Sequence, residues 1–324
     1  MSILSIPPIP PEFLQILPSG KVVIFLGAGV SRLMGYPSWD QLADRSFQHL
    51  INKTKNFSHA DFDVLKELHP RQKLSIAVDI WKSEGYDPKA LISEAIKADG
   101  ESYPRVFELL ADIAAPFVTT NYDDCPISAV QAKPILSTEL GEIGEEQKPS
   151  PGRRRPISLK DDILTTLLTG NDIVVYLHGR LVDGSPLVIT TKDYVDHYRN
   201  DNVQEFLDHL FEHYHVLFIG YGLEEEEIID FIVRKKPTYN LINHFRLIPA
   251  FSHQERLMEH LGNYYSNQCQ VRLVPYLIDS IGHRQLENVL ADWLPTIKAK
   301  FQPVNFIEKT KMILDPVIKH DVNS

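Results

Sequence analysis

Short apolar runs that end abruptly in small or polar residues set the pattern of this chain. They lie at 21–26, 116–120, 172–177, 215–219, 245–250 and 271–277. Runs without alternation are what parallel strands buried on both faces require. Between them, apolar residues recur at spacings of three and four, as an amphipathic helix demands. This spacing predicts helices over 39–52 behind an N-capping Ser38, over 103–113, from 191, over 202–213, after Glu224, over 254–261 and over 284–300. Strands alternating with helices predict an α/β fold: a Rossmann-like open parallel sheet of about six strands flanked by helices.

Between 58 and 100 the period is helical throughout, with Leu65, Leu68, Leu74, Val78, Trp81 and Leu91 in step and no strand signal. This predicts a small helical insert at about 53–102 within a main domain of 21–300. Pro, Gly, Glu and Arg without period over about 134–160 read as a surface loop. Residues 1–20, with Pro7, Pro8, Pro10 and Pro11, read as a proline-rich arm, and 301–324 as a tail.

Composition narrows the class. A net charge of −10 over 324 residues argues against strong direct nucleic-acid binding. Two cysteines, Cys125 and Cys269, can build neither a disulfide framework nor a four-cysteine zinc site. A cytoplasmic setting is expected, and no apolar run reaches the roughly 20 residues of a membrane span.

Candidate chemistry gathers at the ends of the apolar runs. In an open parallel sheet these ends share one crevice, where ligands bind. Gly27 and Gly29 allow a tight turn and close approach to an anion. The other ends carry Thr120, Asn121 and Asp123, then His178, then Gly220, Tyr221 and Gly222. Several neighbours have simpler readings. Tyr36 and Trp39 read as packing residues, Glu224 to Glu227 as a solvated helix start, and Arg153 to Arg155 as exposed. His209 and His213 with nearby His215 have metal-pair spacing but no placed acidic ligand, so no metal site is assigned.

GAGVS (27–31), TTNYDD (119–124), LHG (177–179), ITTKDY (189–194) and IGYGL (219–223), taken in order, resemble the sirtuin-like (Sir2-like) NAD hydrolase family of bacterial antiphage defence effectors. Each motif alone is weak; the ordered set is specific. The chain departs from protein-deacylating sirtuins in lacking the four cysteines of their zinc ribbon and in having GYPSW where they have GIPDFR. The resemblance implies NAD+ as substrate, no zinc, and cleavage of the nicotinamide glycosidic bond. It implies that Gly27, Ala28, Gly29 and Ser31 hold the pyrophosphate. Thr120, Gly220, Tyr221 and Gly222 complete the nucleotide site. Asn121 orients ribose and water, Asp123 lies near the nicotinamide or the cationic sugar, and His178 is the general base. It further implies a homo-oligomer, or a complex with a partner defence protein such as a ring-shaped ATPase or a sensor. Alternatives are a non-catalytic NAD or ADP-ribose sensor or scaffold, and a deacylase or ADP-ribosyltransferase. A dehydrogenase fits less well, because Arg32 stands where GxGxxG has its last glycine.

Overall fold

The computed structural model describes residues 3–54, 57–128, 154–159, 161–182, 184–234 and 244–301. The tail beyond 301, Arg153, and 134–153 of the surface loop lie outside the described residues.

The strands are β1 (Val22–Leu26), β2 (Phe117–Thr119), β3 (Arg155–Ile157), β4 (Ile173–Tyr176), β5 (His215–Ile219), β6 (His244–Ala250) and β7 (Val271–Leu277). They form one parallel sheet in the order β3-β4-β2-β1-β5-β6-β7. The α/β expectation holds, with seven strands among the described residues instead of about six. The additional strand, β3, falls inside the stretch read as a surface loop. Three residues, Arg-Pro-Ile, give no apolar run, and an edge position tolerates the proline.

The helices are α1 (Pro11–Ile16), α2 (Ala28–Ser31), α3 (Trp39–Lys53), α4 (His59–Leu65), α5 (Pro70–Ser83), α6 (Pro88–Ala95), α7 (Arg105–Ala111), α8 (Cys125–Ser128), α9 (Thr191–Tyr198), α10 (Asp201–His213), α11 (Glu226–Val233), α12 (Glu255–Cys269) and α13 (Gln285–Lys300). Caps explain where several begin. Ser38 and Gln41 form a reciprocal capping box at α3, and Thr190 and Asp193 do the same at α9. One face of the sheet packs Ile24, Phe117 and Phe245 against Val106, Leu110, Leu290 and Trp293. The other packs Phe25, Val175 and Phe218 against Phe206, Leu210 and Phe231.

The N-terminal arm is part of this core. Phe13 and Leu17, four residues apart, are buried, and Phe13 meets Phe245 edge-on at 5.1 Å. The Trp293 indole N–H donates to Pro7 O at 2.8 Å. Helices α4 to α6, in the stretch read as an insert, pack with α3, which precedes that stretch, around a core that includes Phe47, Leu50, Ala77 and Trp81. Leu42 of α3, Leu74 of α5 and Ile92 of α6 pack in one cluster with Tyr122 and Ile189, so this helical group is seated on the strand-end loops.

Arg154 corrects the reading of the arginine run as exposed. It is 3% exposed, donates to Ala115 O at 2.6 Å, Asn171 O at 2.9 Å and Ile113 O, and lies 3.6 Å over the Phe117 ring. Arg155 beside it is exposed.

Candidate active site

Because every strand is parallel, all carboxyl ends emerge along one edge. The chain runs from β1 outward to β2 on one side and returns to β5 on the other, so the crevice opens at β1. A cavity of about 600 Å³ lies there, lined by Ala28, Gly29, Thr120, Gly220, Tyr221 and Gly222, with Glu225, Arg71 and Tyr194 along one wall. A smaller hollow of about 30 Å³ adjoins it, lined by Ser31, Asn121 and Asp123 with Tyr36 and Trp39; both share Ala28, Trp39 and Thr120.

The glycines of GAGVS also serve a backbone contact that the sequence reading did not include. A Cβ on Gly27 would lie 2.5 Å from Gly220 O, and one on Gly29 would lie 2.7 Å from it. Gly27 N–H donates to Ile219 O at 3.0 Å and Gly29 N–H to Gly220 O at 2.8 Å. Their close approach is to the turn after β5. That turn needs its own glycine, since Gly220 has φ +64° and abuts Val30 N. Ala28 then begins a helical turn facing the cavity.

The second strand end is tied in by a polar chain. Thr119 Oγ1 donates to Leu26 O at 3.0 Å and accepts from Asn121 N–H at 3.1 Å. Asn121 Nδ2 donates to Ser31 Oγ at 2.9 Å, and Ser31 Oγ donates to Asp123 Oδ2 at 2.7 Å. The Ser31 hydroxyl proton is therefore engaged by Asp123. Burial raises the Asp123 carboxyl pKa, against the lowering effect of its bonds from Cys125 and Ser31.

His178 lines neither hollow and is fully buried. Its Nε2 is 3.0 Å from the Tyr198 hydroxyl and 3.5 Å from Glu225 Oε2, and its Nδ1 is 3.5 Å from the Tyr194 hydroxyl. Burial, then His197 and Arg71, hold the imidazole pKa well below its ordinary value, so the ring is neutral at pH 7. Tyr198 O–H is also 3.1 Å from Glu225 Oε2. Burial pushes the Glu225 carboxyl up to about 7, although Tyr198 and Arg71 pull it down.

Glu225 corrects the reading of the glutamate run as solvated: its side chain is only 12% exposed. The helix-dipole explanation suited all four glutamates equally and hid this one. Tyr194 and Tyr198 were also missed, yet their i, i+4 spacing on α9 places both on one face. Arg71, at the start of α5, gave no sequence signal. It forms a two-pronged ion pair with Glu227 at 2.6 and 3.1 Å and stacks 3.7 Å from the Tyr194 ring centroid. His209 and His213 pack ring to ring at 4.5 Å. Among the described residues no group of three or more His, Cys, Asp or Glu is placed to hold a metal, and no helix is long and apolar enough to cross a membrane.

The comparison with known proteins agrees with this parallel α/β architecture: residues 116–267 match the family model described as a SIR2-like domain. The chain is also 25% identical over 308 residues to "Defense-associated sirtuin 2" of Bacillus subtilis, a match covering 92% of this chain. It spans about a quarter of that curated relative's length, at 27%.

Proposed function

We propose that this protein is an NAD+ hydrolase that releases nicotinamide and ADP-ribose and serves as a regulated effector of antiphage defence by depleting NAD+. The observation that carries the reading is the roughly 600 Å³ cavity at the β1 crevice, with Asn121 and Asp123 in the hollow beside it and His178 behind its wall. Its size falls within the range of small-molecule sites, about 300–1,000 Å³. An extended dinucleotide with an anionic centre suits the lining. Arg32, Arg71, Arg246 and His283 border the cavity, and Arg246 Nε is buried with no acceptor among the described residues. The defence role is supported by the name of the relative.

In this reading nicotinamide leaves as a neutral molecule from a positively charged ring, so the site supplies position and negative or dipolar surroundings. Asn121, fixed by Ser31, orients the ribose and the attacking water. Asp123 stabilises positive charge on the sugar. His178 is the base, and its proton moves through hydrogen-bonded partners because its ring has no exposure. Ala28, Gly29 and the Gly220 to Gly222 turn shape the nucleotide side. Assembly with itself or with a partner such as a ring-shaped ATPase or a sensor would control access.

The closure of His178 by Tyr194 and Tyr198 favours one second reading, a non-catalytic NAD or ADP-ribose sensor. Incubation of the purified protein with NAD+, alone and with candidate partner proteins, followed by chromatography of the nucleotides, separates the two. Equal amounts of nicotinamide and ADP-ribose are expected. NAD+-dependent thermal stabilisation without nicotinamide release would establish the sensor instead. Release that depends on an added acylated or acceptor protein would identify a deacylase or a transferase.

A further inference from the structure

His178 is sealed from the cavity, whereas Glu225 lines it. One hydroxyl joins them: Tyr198 Oη lies 3.0 Å from His178 Nε2 and 3.1 Å from Glu225 Oε2. A hydroxyl between a ring nitrogen and a carboxylate can give its proton to one while taking a proton from the other. We propose that His178, Tyr198 and Glu225 form one proton-holding unit, and that Glu225 is the cavity-facing end through which the proton freed in NAD+ cleavage enters and leaves. The proposal rests on the hydrolase reading of this cavity.

The step balances without a further reactant. The water O–H bond breaks as its oxygen bonds the anomeric carbon, and the electron pair of the C–N bond leaves with nicotinamide. The proton is taken by the Glu225 carboxylate. Inside the unit, the Tyr198 proton shifts to Nε2 while the Glu225 proton replaces it on the tyrosine oxygen, leaving imidazolium and carboxylate. The reverse shift returns the proton to Glu225, which releases it to water in the cavity. Two groups coupled this closely titrate as a pair.

The surroundings keep Glu225 poised near neutrality, while burial, His197 and Arg71 keep the resting His178 ring neutral. Glu225 is faced by Tyr194 and Tyr198 of α9, Tyr221 after β5, Tyr122 after β2, His178 after β4, Arg71 of α5 and Glu227 on its own helix. Burial raises all four tyrosines well above their ordinary value, so they remain neutral donors. The guanidinium of Arg71 is paired to Glu227. With a carboxyl at about 7, Glu225 can both take and release a proton at cellular pH.

The test is the pH profile of nicotinamide release by wild type, Glu225→Gln, Glu225→Asp and Tyr198→Phe, with the thermal shift produced by NAD+ measured on each. Wild-type kcat/KM should rise with pH through a midpoint near 7. Glu225→Gln should lose about a hundredfold at pH 8 and lose that limb while keeping the NAD+ thermal shift, and Glu225→Asp should recover part of the rate. Tyr198→Phe should lose about tenfold, less than the roughly hundredfold of a direct acid–base group, because Glu225 still faces the cavity. In parallel, NMR titration of the His178 imidazole should move in Glu225→Gln and in Tyr198→Phe. Activity within threefold of wild type with an unchanged midpoint in Glu225→Gln would overturn the proposal. If wild type releases no nicotinamide, the hydrolase reading falls, and the imidazole titration decides the unit: a His178 signal indifferent to Glu225→Gln rejects it.

Discussion

Replacing Gly27 by alanine tests whether the glycines of the first loop serve the contact between two strand-end turns. The backbone of Gly27, at φ −114° and ψ 177°, is open to any residue, so only space opposes the change. The added Cβ would lie 2.5 Å from both Gly220 O and Tyr221 Cα, and 2.8 Å from Tyr221 Cβ. Ordinary contact starts at 3.4 Å, so the turns after β1 and β5 must part by about 1 Å. Overpacking of this kind costs about 1–3 kcal/mol. The separation also stretches Gly27 N–H to Ile219 O and Gly29 N–H to Gly220 O, worth about 1 kcal/mol each. The expected destabilisation is therefore about 3–5 kcal/mol in equilibrium urea unfolding at pH 7.5. Gly262 provides the control, since it sits within α12 and a Cβ there would meet nothing within 4 Å. Gly262→Ala should stabilise by about 0.5–1 kcal/mol. A Gly27→Ala protein within about 0.5 kcal/mol of wild type, beside a stabilised Gly262→Ala, would refute the argument.

Two further outcomes follow from buried polar groups. Arg154→Leu removes the donor from three carbonyls and should destabilise by about 3 kcal/mol in urea; a loss below about 1 kcal/mol would show that water replaces the guanidinium. Burial lowers His197 to about 4 and His244 to about 3, so between pH 6.5 and 3 the native state binds fewer protons than the unfolded chain. The stability linked to these histidines is complete above pH 6.5 and is lost as pH falls through the folded values, by about 4–5 kcal/mol for His244 alone. His244→Asn, which keeps an acceptor for Val216 N–H, should flatten the fall of urea stability between pH 7 and 4; parallel curves would contradict it.

The strands were legible because each central one must bury both faces and so reads as an unbroken apolar run, and β5 has the sequence-read bounds; β7, at an edge, was legible through its length of seven mostly apolar residues. The other edge strand, β3, escaped because its three residues, Arg-Pro-Ile, are too short and too polar to make an apolar run. The arm escaped because Phe13 and Leu17 sit among prolines, and a single helical turn is too short to show a period. In the candidate site, Asn121, Asp123 and the glycine turns could be placed because their chain positions follow strand ends. Glu225 could not, since burial of one glutamate among four depends on α9 and its two tyrosines folding over it. The Arg71 contact joins residues 156 apart in sequence, a pairing no local pattern encodes.

The most direct measurement of the central claim is nicotinamide release from NAD+ by purified wild type, Asn121→Ala and His178→Ala, each checked for folding by its urea curve. Wild type should consume NAD+, and both variants should lose that activity while remaining folded. Unchanged turnover in either folded variant would contradict the account of the site.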